Sequence, residues 1–171
     1  LVCLIPKSDG GRRPIGLLPT FIRWWMRLRL DVVRSWQSAH ERPYFYAGQL
    51  KGADVASWKQ AARAELATTS SHLHYINAML DMIKCFERVP YGWLVQQGAE
   101  FLYPMAVLRL SLAAYQLARV IVVDGVCSAL LFATRGIIAG SVHATTELRL
   151  LLIKWMDRVQ DEVIYIVITL Y

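Results

Sequence analysis

Paired cysteines are missing from this sequence. Cys3, Cys85 and Cys127 are far apart, odd in number and form no C-x-x-C pair. That pattern excludes a disulfide framework and a zinc ribbon, and it fits free thiols in a reducing compartment. The corresponding expectation is an intracellular protein, nuclear or cytoplasmic, and not a secreted one. No uninterrupted apolar run reaches the roughly 18 residues of a membrane span, so no membrane partner is expected. No secretory leader is visible. Neither G-x-x-x-x-G-K-[ST] nor G-x-S-x-G occurs, which argues against a P-loop NTPase and an α/β-hydrolase. His72 and His74 would share one strand face, but no third residue has metal-ligating spacing, and packing is their expected role.

Charge is also scarce. Charged residues make up 19% of the 171, against 56% apolar, more apolar than an ordinary soluble domain. Surfaces meant for absent neighbours would look like this, and the chain is read as a piece cut at both ends, Leu1 and Tyr171. Acids are scarcest near the start. Lys7, Arg12, Arg13, Arg23, Arg27, Arg29 and Arg34 face only Asp9 and Asp31 there. Such a block suits a polyanion, a nucleic acid or a nucleoside triphosphate, or else a solvated helix face and a basic hairpin.

Residues 1–18 predict a β-hairpin turned at Ser8-Asp9-Gly10-Gly11. A helix follows to about Trp36, with Thr20 as N-cap and a core face of Phe21, Trp24, Trp25, Leu28 and Val32. An Ala-rich helix spans residues 53–67, and a buried strand residues 72–82. Pro90 and Pro104 each start a helix. Residues 119–132 form a second hairpin turned at Asp124-Gly125. A glycine-bearing loop, residues 134–141, leads to a helix that Ser141 could cap and that runs to Asp157; residues 163–171 form a last strand. The expected class is α+β, with helices packed on a mainly antiparallel sheet.

Asp81 leaves an apolar run in "DMIKCFERVP". It is either a turn residue facing water or part of a metal site, since two or three convergent carboxylates can hold two metal ions for phosphoryl transfer. Phe86 could be an ordinary core aromatic. Lys7 and Arg13 could be a solvated hairpin tip, Gly140 part of a helix start, and Arg135 the cap of a strand end.

Four segments resemble the reverse transcriptase family in the family's order: "LIPKSDGGRRPIGLLP" its fingers hairpin, "DMIKCFERVP" its first catalytic motif, "TRGIIAGS" its R-G-x-x-Q-G motif, and "VIYIVITLY" the strand entering Y-x-D-D. The likeness is to retroelements of eukaryotic, non-LTR type. It implies the fingers and partial palm of a right-hand polymerase, with residues 1–70 fingers-like and 71–171 palm. It implies two Mg²⁺ ions, and an RNA template, DNA primer and deoxynucleoside triphosphates as partners. Carried over, Asp81 would be the catalytic metal ligand and the Met82 backbone would touch the incoming nucleotide. The Phe86 ring would exclude a 2′-hydroxyl, and Lys7 and Arg13 would grip the triphosphate. Gly140 would let backbone approach the nascent pair, and Arg135 would contact template or phosphate. Arg12, on the other strand face, would be a phosphate contact. The chain departs from the family where Ala139 replaces the usual Gln, and "VHATTE" follows in place of Ser-Pro. It ends before Y-x-D-D, so residues 1–171 alone are expected to be inactive. The alternatives are a decayed domain that only binds RNA, and a non-enzymatic α+β interaction domain.

Overall fold

The computed structural model describes residues 1–46, 51–72, 74 and 82–162. Among these the protein is α+β, with six helices and a four-stranded mixed sheet. Strands β1 (Val2–Pro6) and β2 (Arg12–Gly16) form the expected antiparallel hairpin, in register from Val2↔Gly16 to Pro6↔Arg12. Its turn closes because Gly10 takes φ +80°, open to glycine, and Asp9 Oδ1 accepts the Gly11 N–H at 2.9 Å. Strand β3 (Ile121–Val123) lies parallel to β1, and β4 (Val126–Cys127) returns beside it, giving the order β2-β1-β3-β4. Asp124 and Gly125 both have positive φ, the hand that a two-residue hairpin turn needs. Two of the three pairings are antiparallel. The third is parallel because a long helical crossover separates β1 from β3.

By compactness the chain divides into two units: Leu1–His40 with Lys84–Trp155, and Glu41–Ile83 with Met156–Tyr171. In the first, the expected single helix after the hairpin is two. Helix α1 (Thr20–Leu28) stops at Arg29 and α2 (Leu30–Ala39) begins directly after it. Thr20 is not the cap: Pro19 holds that position, and Thr20 Oγ1 accepts from Arg23 Nη2 at 3.3 Å. The expected core face is also corrected. Phe21, Trp24, Leu28 and Val32 are 73%, 64%, 78% and 47% exposed, while Met26, Val33 and Trp36 are buried. Arg23 and Arg27 share one side of α1 and its apolar residues form one broad arc on the other; the edge of that arc containing Met26 meets the core, and the edge containing Phe21, Trp24 and Leu28 does not. Trp36 fixes α2 by donating from Nε1 to the Phe101 carbonyl at 2.8 Å, with the His40 ring stacked on it and Tyr103 edge-on.

Pro90 and Pro104 precede α4 (Tyr91–Glu100) and α5 (Met105–Tyr115), as expected. Helix α6 (Ala144–Glu162) starts later than Ser141 and ends beyond Asp157. Leu94, Leu108, Tyr115, Leu150 and Ile153 are fully buried. A Cβ on Gly98 would lie 2.6 Å from Leu108 Cδ2, so Leu108 would have to shift to admit one.

The second unit contains α3 (Ala53–Thr69) and the buried aromatics Tyr44, Phe45 and Tyr46. Arg42 grips Asp157 with a two-point fork, Nε and Nη2 each 2.9 Å from an oxygen, and Tyr44 donates to Oδ1 at 2.7 Å. Partial burial works against the charged carboxylate. The Arg42 and Tyr44 hydrogen bonds outweigh it, so the Asp157 pKa lies below the ordinary range. Its contribution is present above the unfolded carboxylate pKa and is lost as pH falls through the lowered value. Asp157→Asn should cost about 2 kcal/mol, read as a lower urea midpoint at pH 7 that converges with wild type in acid. The strand expected over residues 72–82 falls mostly outside the described residues, and that over 163–171 wholly so. His72 and His74 are both exposed, so neither packs in a core as expected.

Candidate functional site

The loop 135–141 is tied on both sides to segments remote in sequence, all within the first unit. Toward residues 86–90, the Ile137 N–H donates to the Phe86 carbonyl and the Gly136 N–H to the Val89 carbonyl, both at 2.8 Å, and Pro90 bridges Arg135. Gly136 has φ +97°, and a Cβ there would sit 2.9 Å from the Glu87 carbonyl oxygen. Toward the hairpin, the Gly16 N–H donates to the Ala139 carbonyl at 3.3 Å. A Cβ on Gly16 would overlap Ile138 Cγ2, and one on Gly140, φ +101°, would be 3.3 Å from the Gly16 carbonyl. Ile137 and Ile138 are buried beneath this clasp. Residue 139 contributes its backbone carbonyl to this clasp, so the bond does not depend on the side chain there.

Three of the expected site residues, Phe86, Arg135 and Gly140, therefore stand on one continuous piece of structure that also holds the foot of the hairpin. Phe86 is half-buried, and Arg135 and Gly140 are exposed. Lys7 and Arg13 are exposed on the hairpin itself. Arg13 pairs with Ile5, and Lys7 follows Ile5 by two residues, so alternation puts both cations on one sheet face. Arg12 pairs with Pro6 and faces the other way, where its guanidinium lies 3.7 Å from Asp124. Met82 is 46% exposed and belongs to the second unit. Asp81 lies outside the described residues. No group of three His, Cys, Asp or Glu that could hold a metal ion occurs among the described residues, and none of their helices is long and apolar enough to cross a membrane.

A buried polar cluster anchors the far end of the clasp. The Tyr115 hydroxyl donates to Glu147 Oε2 at 2.6 Å and lies 2.8 Å from Ser141 Oγ, which accepts the His143 backbone N–H at 3.3 Å. Ser141 is thus held by α5 and, as expected of a capping residue, takes the N–H two residues on with its side chain and the Ala144 N–H with its carbonyl at the start of α6. Glu147 is wholly buried; desolvation pushes its pKa up to about 7, against the opposing Tyr115 and Ser111 hydroxyls. Desolvation alone lowers that of His143 to about 4. The sequence reading missed this cluster. Its signal was Glu147, an acid at helical spacing between Ala144 and Leu150 in an apolar stretch.

No protein-family model matches this chain, and no curated protein is detectably similar to it.

Proposed function

We propose that this chain is the fingers and part of the palm of an RNA-directed DNA polymerase of retroelement type. The observation that supports the reading most is the clasp. Segments that resemble three separate polymerase motifs, more than a hundred residues apart at the extremes, are joined by backbone hydrogen bonds through Gly16, Phe86, Val89 and the loop 135–141. In this reading Lys7 and Arg13 hold the triphosphate of a deoxynucleotide. A point charge and a guanidinium fork on one strand face suit a polyphosphate that gains charge as pyrophosphate leaves. Phe86 acts by exclusion, crowding the 2′ position of the sugar. Mg²⁺, bound through Asp81, would supply charge neutralisation. Asp81 lies outside the described residues, and the reading places no other residue on the metal.

Isothermal titration with dTTP and UTP in Mg²⁺ tests the reading. Lys7→Ala combined with Arg13→Ala should weaken dTTP binding at least tenfold, about 1.4 kcal/mol. Phe86→Ala should keep dTTP binding and raise UTP binding toward it. Wild-type protein that binds neither triphosphate, or a Phe86→Ala variant that discriminates as before, would sink it.

A second reading, a decayed polymerase domain that only binds RNA, is favoured by Ala139 and by the many exposed arginines of α1 and α2. Its mark would be RNA affinity indifferent to Mg²⁺ and to Asp81→Ala.

A further inference from the structure

The four-stranded sheet of the described residues has two edges, and they are built differently. At the β2 edge the Leu17 N–H donates to the Leu1 carbonyl and the Gly11 carbonyl accepts from Lys7, so alternation turns the backbone groups of Arg12, Pro14 and Gly16 outward. Pro14 has no N–H to offer, that of Gly16 goes to the Ala139 carbonyl at 3.3 Å, and Arg12 carries a charge. That edge is closed to another strand. The β4 edge is open. Beyond β4 the chain stays beside residues 119–121: Ser128 N–H donates to the Ile121 carbonyl at 2.9 Å, and Arg119 and Leu131 exchange two backbone bonds of 2.8 Å. Leu131 therefore faces inward, its neighbours Leu130 and Phe132 turn their N–H and C=O groups outward, and neither makes a backbone hydrogen bond among the described residues. Residues 126–132, "VCSALLF", hold no charge, proline or glycine, and all seven are exposed. Val126, Leu130 and Phe132 reach 72%, 63% and 72%. None of the devices that protect a free edge is present.

We propose that this edge pairs antiparallel with the same edge of a second copy of the chain, about a two-fold axis near Ala129 and Leu130. Three observations choose that occupant. The first is charge. The uncharged stretch is flanked by Asp124 at one end and Arg135 at the other, both exposed, so antiparallel self-pairing sets the acid of each copy beside the arginine of the other. An anionic surface would meet uncharged residues between one acid and one arginine, and nothing there matches it. The second is closure. With the β2 edge guarded, a sheet extended through β4 stops at two copies, and that guard matters only when the opposite edge recruits another sheet. The third is area. The exposed side chains of Val126, Leu130, Leu131 and Phe132 leave on the order of 400 Å² in water per copy. With the backbone edge added, two copies approach the roughly 1,200 Å² at the low end of specific interfaces. The proposal rests on nothing in the polymerase reading.

Sedimentation equilibrium tests it. Wild type should pass from monomer to dimer with a dissociation constant of order 10 µM. Leu130→Lys and Leu130→Glu should each weaken the dimer at least tenfold, because like charges meet near the axis. An equal mixture of the two variants should recover it, since each lysine then faces a glutamate. Leu130 is 63% exposed, so the urea midpoint of either variant, read where wild type is monomeric, should not move. Hydrogen exchange supplies the backbone signature: the Leu130 and Phe132 amides should exchange more slowly as wild-type concentration rises, and not in Leu130→Lys. Wild type that stays monomeric to about 1 mM would overturn the proposal, including a monomer that binds phosphatidylserine vesicles through Leu130. So would a dimer that survives both Leu130 variants, or is lost in Trp24→Ala instead, which would put the contact on α1. A mixture of the two variants that remains monomeric would show that the edge does not meet itself, and open-ended fibres would show that it does not close.

Discussion

Gly136→Ala is expected to destabilise the first unit by about 3 kcal/mol. At φ +97° an L side chain costs roughly 1–2 kcal/mol in the backbone alone. The added methyl would then meet the Glu87 carbonyl oxygen at 2.9 Å and its carbon at 3.2 Å. These are backbone atoms, flanked by the hydrogen bonds from Ile137 to Phe86 and from Gly136 to Val89, so they cannot swing aside as a flexible side chain would. Overpacking of this kind adds roughly 1–3 kcal/mol. Gly140 is the internal control. Its φ is equally positive, but its Cβ would meet one carbonyl at 3.3 Å, so Gly140→Ala should cost only about 1–2 kcal/mol, mostly backbone strain. Urea unfolding followed by circular dichroism measures both midpoints. Equal midpoints in the two variants would mean that the loop does not bear on residues 86–90 as described.

Local chemistry was legible where it was also decisive. The Asp9-Gly10 and Asp124-Gly125 turns, and the proline starts of α4 and α5, need nothing beyond their own few residues to form. Which stripe of α1 faces inward was not legible. Phe21, Ile22, Trp24, Trp25, Met26 and Leu28 form one apolar arc opposite Arg23 and Arg27, too broad for periodicity to say which edge is buried; packing around Met26 and the break at Arg29 decide it. Pairing of β1 with β3 depends on a crossover of more than a hundred residues, which no local pattern encodes. At the candidate site, residue types could be named from the sequence. That residues 86–90, 135–141 and Gly16 join through backbone groups could not, because carbonyls and N–H groups carry no sequence signal. Tyr115 and Ser141, 26 residues apart, meet for the same reason: tertiary packing brings them together.

The buried pair Glu147 and His143 should make the pH dependence of stability appear only when one member is removed. Neutral Glu147 is favoured by the fold. Its contribution is complete below the unfolded carboxylate pKa of 4.5 and is lost as pH rises through about 7. Neutral His143 is also favoured, with the opposite sign: its contribution is complete above 6.5 and is lost as pH falls through about 4. Each is worth about 3 kcal/mol over its window, so between pH 4.5 and 6.5 the two slopes nearly cancel. The other groups facing this space, Tyr115 and Tyr103, are pushed upward and stay neutral throughout. Glu147→Gln keeps the shape and removes the titration, so the variant should gain about 3 kcal/mol in unfolding free energy from pH 4 to 6.5, where wild type is nearly flat. His143→Leu should do the reverse and lose about as much from pH 4.5 to 7. Carboxylates with lowered pKa, Asp157 among them, add the same acid-side loss to every variant, so the difference from wild type is what matters. Parallel stability curves for wild type and Glu147→Gln across pH 4–7 would show that Glu147 is not held neutral. Its bond from Tyr115 would then be to a charged carboxylate, and Ser141 would be anchored by an ion-assisted contact in place of a neutral one.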